Sequence, residues 1–503
     1  MHSKLVKRLL PLAIGALCSG LALAAPSGAS DDSVTIYSSL QPGAVAPELY
    51  RPVAGRNLNS QVPGYAIVRH GRSFDIDRGV QTLRVSDVAA LIDPTTVTFE
   101  SLTEPRTRVL EQSFQFDLVS QAKLLQRYLG QRITVEVPRD GSVELLEGTL
   151  LGAEGGLTML MDDGTVQALR SIGNLRFPQL PGGLITRPTL EWMVDSPSRG
   201  PQDTRISYET QGMTWWADYN IVYNESKGCA MDLSAWVSIV NQSGAGFDNA
   251  RLKLIAGDVH RARNRRPNRQ VIAKMAVAED AAGFTEKAFF EYHLYTLERR
   301  TDLPDNSTRQ IRLMPTARGV ECRKELVFAP TLDYPYYGYH QFDQDYGRYD
   351  NGDVNVYLRF ANEQSQQLGI PLPAGRIRVS QADPADGSLE FIGEDVIDHT
   401  PRNEEVLIEM GNAFDVVGER KQTDFRLDLA SRNLWETFEI RLRNHKDQAV
   451  EVAVLENLYR ASNWRIENAS HPHHKENSNR IRFDVEVPSE GETVLRYTAH
   501  YYW

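Results

Sequence analysis

The stretch LSAWVSI, residues 233–239, places aliphatic side chains at every second position. The stretch VNVYLRF, residues 354–360, repeats the same two-residue period with polar or aromatic side chains between its apolar ones. Successive side chains of a strand point to opposite faces of its sheet, so this alternation predicts antiparallel strands with one buried face. We therefore expect two β-sandwich subdomains, at residues 205–370 and 371–503.

The rest of the chain also reads as β-structure, which predicts an all-β protein. Residues 25–115 contain short strands separated by Gly, Pro and Asp turns, as expected for a small N-terminal β-domain. Residues 116–178 begin with a helical pattern that stops at Gly130, and five short strands with Asp-Gly turns follow. This pattern is typical of a small Sm- or SH3-like barrel. The Pro- and Gly-rich residues 179–204 are predicted to be a linker.

The N-terminus has the pattern of a secretory signal peptide, residues 1–24. Lys4, Lys7 and Arg8 precede a mostly apolar run, and Ala22-Leu23-Ala24 supplies the small-x-small pattern for cleavage after Ala24. No later stretch approaches the ~20 apolar residues of a membrane helix. We therefore expect a periplasmic or secreted protein without a transmembrane helix after cleavage.

The charge and the cysteines fit this compartment. Removal of the three signal cations from 55 leaves 52 against 66 acidic residues, a net charge of −14, which disfavours nucleic acid as a partner. Cys229 and Cys322 remain after cleavage, and disulfides persist in exported proteins. We predict a bridge between them, with two buried thiols as the alternative.

Several ordered blocks between residues 190 and 503 resemble a bacterial family of exported proteins, the domain of unknown function 4139 or mucoidy-inhibitor-like family. The blocks are Ile206-Ser207-Tyr208-Glu209-Thr210, Gly212-Met213-Thr214-Trp215, Ala217-Asp218-Tyr219, Leu254-Ile255-Ala256-Gly257-Asp258-Val259, Glu291-Tyr292-His293-Leu294-Tyr295, Leu372-Pro373-Ala374-Gly375, Ile392-Gly393-Glu394-Asp395 and Gly411-Asn412-Ala413-Phe414-Asp415. The resemblance implies an all-β fold and no particular activity. Other members carry a coiled coil where this chain has the predicted small barrel, so a shared partner does not follow.

An aromatic run is the first candidate binding site. It comprises Tyr334, Tyr336, Tyr337, Tyr339, Phe342, Tyr346 and Tyr349. Exposed tyrosines suit sugar rings or a protein partner, whereas a loop that folds back would bury its own rings. The interspersed Asp343, Asp345, Asp350 and Asp353 offer oxygen ligands for calcium, although their spacing departs from the EF-hand pattern.

Two further segments carry chemistry-bearing side chains. His471, His473 and His474 form a speculative site for zinc, copper or nickel, with a metal-free hairpin loop as the alternative. A basic stretch either contacts an anionic partner or is a solvated loop. It comprises Arg261, Arg263, Arg265, Arg266 and Arg269.

No nucleophile elbow, zinc-protease motif or phosphate- or dinucleotide-binding loop is present in the sequence, and we expect no cofactor. The leading hypothesis is therefore a non-enzymatic envelope protein that binds a protein or glycan partner. An envelope polysaccharide hydrolase, using carboxylates such as Glu394 and Asp395, is the alternative. An outer-membrane barrel is a third reading, suggested by the alternating apolar and aromatic residues 495–503.

Overall fold

The all-β prediction is confirmed. The computed structural model describes residues 31–37, 62–139, 142–225, 228–257, 259, 284–331, 334, 336–347 and 352–503. Within these residues the chain forms thirty strands, one seven-residue α-helix and a short 3-10 helix. The predicted signal, the basic stretch 261–269, Tyr349 and Asp350 lie outside the described residues.

The elements of the N-terminal half follow in chain order. They are β1 (Ser33–Tyr37), β2 (Tyr65–Ile76), β3 (Gly79–Val85), β4 (Ile92–Ser101), β5 (Arg108–Gln115), α1 (Gln121–Arg127), β6 (Arg132–Arg139), β7 (Ser142–Gly152), β8 (Leu157–Met161), β9 (Val166–Leu169), β10 (Leu175–Arg176), β11 (Thr189–Ser196), β12 (Gly200–Gln211), β13 (Met213–Asn224), β14 (Ala230–Asn241) and β15 (Phe247–Ala256).

The second half contains the longest strands. Its elements are β16 (Phe284–Phe289), β17 (Tyr292–Leu297), β18 (Thr301–Leu303), β19 (Ser307–Glu321), β20 (Arg323–Phe328), β21 (Asp353–Ala361), the 3-10 helix Gln364–Gln366, β22 (Gly375–Ala382), β23 (Leu389–Ile397), β24 (Glu405–Asp428), β25 (Asn433–Asn444), β26 (Val450–Asn457), β27 (Trp464–Glu467), β28 (His474–Lys475), β29 (Arg480–Val487) and β30 (Gly491–Tyr502).

The described residues fall into two compact units. The first contains the described parts of Met1–Val34, Ile67–Gln211 and Ser243–Ala250. The second contains the described parts of Thr35–Ala66, Gly212–Gln242 and Arg251–Trp503.

In the first unit, α1 precedes an antiparallel sheet of order β10-β6-β7-β8-β9, as the sequence predicted. Ser120 caps the helix, because its side chain accepts a hydrogen bond from the backbone N–H of Lys123 at 3.3 Å. Leu125 of the helix shares a core with Val135, Leu150 and other apolar residues of the sheet. The end strands β9 and β10 do not pair with each other, so among the described strands the predicted barrel is an open sheet.

A second sheet of this unit has the order β3-β11-β5 and is antiparallel throughout. Its central strand, β11, lies within the stretch that the sequence predicted as a linker. The buried Trp192 and Val194 occupy alternate positions on β11, as expected for a strand with one buried face.

In the second unit, a five-stranded sheet has the order β19-β14-β13-β22-β23. The stretch 233–239 forms part of β14, with its aliphatic residues buried, which confirms the predicted strand. Strands β13 and β22 run parallel, with Ala217 opposite Gly375. Gly375 is required there because a Cβ atom would collide with the carbonyl oxygen of Ala217.

A nine-stranded sheet of the same unit has the order β27-β30-β25-β24-β21-β20-β26-β29-β28. The stretch 354–360 forms most of β21, with Val354, Leu358 and Phe360 buried. Strands β20 and β26 are parallel, and about 120 residues of chain separate them. Both large sheets of the second unit take strands from either side of residue 370.

The predicted disulfide is confirmed. The sulfur atoms of Cys229 and Cys322 lie 2.05 Å apart, beside the paired ends of β14 and β19. The backbone N–H of Cys322 also donates to the carbonyl oxygen of Cys229 at 3.0 Å. Within the part of the chain that the structure describes, no helix has the length and apolar character needed to cross a membrane.

Candidate functional site

The aromatic segment between β20 and β21 divides into an inner and an outer set of rings. In the inner set, Tyr334 and Tyr346 pack edge to face at 5.5 Å. Both also contact Tyr459, at 5.8 and 5.6 Å between ring centroids. Tyr336 is half-buried. These rings form the support on which the rest of the segment rests.

Three of the outer rings are exposed, and the other two are partly buried. Tyr337, Tyr339 and Phe342 expose 58%, 60% and 38% of their surface. The rings of Tyr337 and Tyr339 stack at 6.3 Å, while His340 and Phe342 lie against Trp503 at 5.1 and 5.0 Å. We call these five residues the aromatic surface. The sequence indicated three of them, and the structure adds His340 and Trp503.

Arg460, which follows β26, holds the segment in place. Its buried guanidinium donates to four backbone carbonyl oxygens, those of Gln341 at 3.1 Å, Asp343 at 2.7 Å, Gln344 at 3.4 Å and Tyr346 at 2.9 Å. The buried carboxylate of Glu436 balances its charge at 2.7 Å. Five donors in a rigid fork suit one arginine to several carbonyls, so Arg460 fixes the shape of the segment.

A second buried arginine fixes the end of the segment. Arg420 pairs with Glu456 at 2.9 Å and donates to the carbonyl oxygen of Gly347 at 2.9 Å. The Tyr459 hydroxyl donates to the same carbonyl at 3.3 Å. Gly347 has a φ of +77°, and a Cβ atom there would collide with the ring of Tyr459. Only glycine therefore fits this corner.

The electrostatics leave the anchoring groups in fixed protonation states. Burial lowers the pKa of Arg420 and Arg460, but the charges of Glu456 and Glu436 outweigh it and hold both pKa values above the ordinary range. Burial raises the pKa of Tyr459 well above its usual value. The arginines are thus charged and this hydroxyl is protonated at neutral pH.

This arrangement is suited to binding. Flat aromatic faces with polar edges are enriched at binding surfaces and contact sugar rings or apolar side chains. A surface whose backbone is already held by buried hydrogen bonds loses little conformational freedom when a partner binds. The aromatic surface is therefore a preformed platform of rings.

The carboxylates of the segment take part in local backbone contacts. The backbone N–H of Asp345 donates to Asp343 Oδ1 at 3.0 Å, and that of Tyr346 donates to the Asp343 carbonyl oxygen at 3.2 Å. Asp353 lies at the start of β21. In the described ranges, no three or more His, Cys, Asp or Glu side chains form a group that could hold a metal ion.

The three histidines of the predicted metal site have different neighbours. His471 Nδ1 lies 2.9 Å from the Ser470 hydroxyl, and the ring of His473 packs against Phe483 at 5.5 Å. His474 Nδ1 lies 3.9 Å from Asp484. The backbone does not bring these three imidazoles to one point.

The carboxylates suggested for hydrolysis are neighbours on β23, so they point to opposite faces of the strand. Glu394 lies 3.5 Å from Arg378. Asp395 accepts hydrogen bonds from the backbone N–H groups of Val396 and Glu409, both at 2.7 Å. Each carboxylate therefore has a structural partner.

The first unit also contains a buried polar cluster that the sequence pattern did not predict. His70 Nδ1 lies 2.8 Å from Asp32, His70 Nε2 lies 2.9 Å from the Tyr208 hydroxyl, and Arg72 donates to Asp32 at 2.7 Å. All four side chains are buried, and they satisfy one another's hydrogen-bonding groups. The alternation of buried and exposed residues along β2 is the sequence signal for this cluster. His70 and Arg72 occupy inward positions between Val68 and Phe74, where apolar side chains are expected.

Comparison with known protein families finds no matching family model, and a search of characterised proteins finds no match to this chain. The resemblance to the mucoidy-inhibitor-like family rests on the motifs quoted above and stays a prediction.

Proposed function

We propose that this protein is an exported component of the bacterial cell envelope that binds a protein or glycan partner through its aromatic surface. It acts without catalysing a reaction and resembles the mucoidy-inhibitor-like proteins. The observation that carries the proposal is the exposure of Tyr337, Tyr339 and Phe342 on a backbone held by the buried Arg460. Exposed rings on a rigid support are typical of binding surfaces.

Export is supported by two features of the chain. The predicted signal, residues 1–24, ends in a cleavage pattern after Ala24. The Cys229–Cys322 bridge belongs in an oxidising compartment such as the periplasm. Fractionation of the producing cells, followed by mass spectrometry of the N-terminus, should place a chain that begins at Ala25 outside the cytoplasm. A full-length chain in the cytoplasm would contradict this part of the proposal.

The binding role is tested with the double variant Tyr337→Ala/Tyr339→Ala. Both rings are exposed, so the fold should survive, as shown by an unchanged melting temperature and circular dichroism spectrum. We expect crosslinking to the partner in intact envelopes, and retention on immobilised envelope glycans, to fall by about 10- to 100-fold, the range seen for aromatic hot spots. Loss of crosslinking alone identifies a protein partner, and loss of retention on glycans identifies a sugar.

The matched control is Phe414→Ala, which removes an aromatic ring that is 95% exposed on β24, outside the aromatic surface. This variant should bind as the unaltered protein does. Equal binding by the double variant and by Phe414→Ala would reject the aromatic surface as the site.

A further inference from the structure

The second unit contains two adjoining clefts that share Glu225, Lys324 and Lys446. One has a volume of about 420 Å³ and is bordered mainly by residues of β20, β26 and the turn before β26. The other, of about 250 Å³, is bordered mainly by residues of β13, β21, β22, β23 and β24. Because three residues line both clefts, the clefts adjoin. We call the pair the groove, and its two ends differ chemically.

The larger end is polar and carries a net positive charge. Its lining contains four cations, Arg323, Lys324, Lys446 and Arg482, against three carboxylates, those of Glu225, Glu325 and Glu451. The chain as a whole has a net charge of −11, so the net charge of this lining is opposite in sign to that of the whole chain. A positive cleft in an acidic protein attracts an anion locally.

One of these cations, Lys446, has no carboxylate within ion-pair distance in the described residues, although Glu225 lies near it. The hydrogen bond from Lys324 lowers the pKa of the Glu225 carboxyl, and the charge of Lys446 lowers it further. Lys324 pairs with Glu225 at 2.7 Å, and Arg323 pairs with Glu325 at 2.6 Å. Lys446 is half-buried at the junction of the two ends and forms no ion pair within the described part of the chain. Its ammonium group is therefore available to a ligand.

The smaller end is the more apolar of the two, although Gln381 and Asn412 also border it. Val356, Leu358, Ile392, Met410 and Ala413 border it. Tyr223 also borders it, and this side chain is 5% exposed, with a hydroxyl that has no hydrogen-bond partner in the described residues. Buried hydroxyl groups normally have a partner, so the lone Tyr223 hydroxyl marks a place that a ligand atom can complete.

We infer that this groove binds an anionic amphiphile, a molecule with one carboxylate or phosphate head group and an acyl tail. The head group lies against Lys446, and the tail lies among Ile392, Met410 and their apolar neighbours. The Tyr223 hydroxyl donates to an oxygen near the head group, because burial and the nearby Glu225 raise its pKa and keep it protonated. This site is separate from the aromatic surface, none of whose residues line the groove.

Calorimetric titration of the whole mature protein tests the inference. The probes are decanoate, decyl phosphate, decyltrimethylammonium and inorganic phosphate, all below the concentrations at which they form micelles. We expect one decanoate or decyl phosphate per protein, and binding at least tenfold weaker for the other two. The ratio of decanoate to decyl phosphate affinity distinguishes a carboxylate ligand from a phosphate one. Equal binding of decyltrimethylammonium would overturn the inference, as would equal binding of phosphate without a tail.

Variants locate the binding. Lys446→Glu and Ile392→Asp should each weaken decanoate binding at least tenfold, and Tyr223→Phe should weaken it several-fold. Lys421→Glu is the matched control, because Lys421 is exposed on β24 and outside the groove. Lys446→Gln replaces Lys446→Glu if the latter fails to fold. Unchanged affinity in a folded Lys446 variant, or equal losses in Lys446→Glu and Lys421→Glu, would overturn the inference.

Discussion

Replacing Arg460 with methionine should strongly destabilise the second unit. Methionine fills a similar volume, but it leaves the Glu436 carboxylate buried without a counter-charge and four carbonyl oxygens without their donor. Side-chain exposure of the pair is 1% for Arg460 and 0% for Glu436. Breaking such a buried pair by removing one partner costs about 3–5 kcal/mol.

Urea unfolding followed by tryptophan fluorescence measures this effect. Six of the seven tryptophans belong to the second unit, so the signal reports mainly on it. With a urea m-value of about 3 kcal/mol per M, the midpoint should fall by about 1–1.7 M. The control is Arg465→Met, which removes an exposed arginine from its pair with Glu467 and should cost less than about 1 kcal/mol.

The double variant Arg460→Met/Glu436→Met separates the charge from the packing. Replacing both members of a buried pair by apolar residues is often close to neutral, so part of the lost stability should return. The carbonyl oxygens still lack their donor, and recovery should be incomplete. Equal midpoints for Arg460→Met and Arg465→Met would refute the anchoring role, and a double variant less stable than Arg460→Met would refute the charge argument.

Three further predictions follow from the same unit. The Cys229–Cys322 bridge closes a loop with a sequence separation of 93, so its reduction should lower the free energy of unfolding by about 4–5 kcal/mol in the chain-entropy model. Dithiothreitol should therefore lower the melting temperature of the unaltered protein but not that of Cys229→Ser. Gly347→Ala should weaken partner binding and stability more than Gly338→Ala. Both glycines have a positive φ, but only at Gly347 would a Cβ atom collide with a ring, that of Tyr459. Equal effects of the two substitutions would contradict this packing argument. Burial raises the pKa of Tyr497 well above 10, so the stability that this tyrosine contributes is full below the unfolded pKa of about 10 and is lost as pH rises towards the folded value. Above pH 10 the free energy of unfolding should fall by about 1.4 kcal/mol per pH unit for each such tyrosine. Urea midpoints measured from pH 8 to 11 should therefore fall above pH 10, and a flat profile would contradict this.

The sequence predicted the strands better than their partners. Alternation at 233–239 and 354–360 reports which face of a strand is buried, and the structure has strands with buried aliphatic side chains at both places. Alternation carries no information about which strands pair. The parallel neighbours β13 and β22 are joined by about 150 residues of chain, so only tertiary packing selects them.

Part of the candidate site could also be predicted from the sequence. Tyrosine-rich composition marked the segment, but composition alone does not separate the supporting Tyr334 from the exposed Tyr337. The anchoring charges also have a signal in the sequence. Glu436 occupies an inward position between Leu434 and Phe438 on β25, and a charge on an apolar face requires a buried partner.

The parallel pairing of β20 with β26 has a consequence for when the aromatic surface forms during folding. The aromatic segment follows β20 directly, yet its anchors Glu456 and Arg460 lie about 120 residues later in the chain. Such long-range contacts form slowly during folding. We therefore expect the aromatic surface to form as one of the final folding events. Incompletely folded chains would then lack affinity for the proposed partner, and the onset of binding would be a kinetic marker of completed folding.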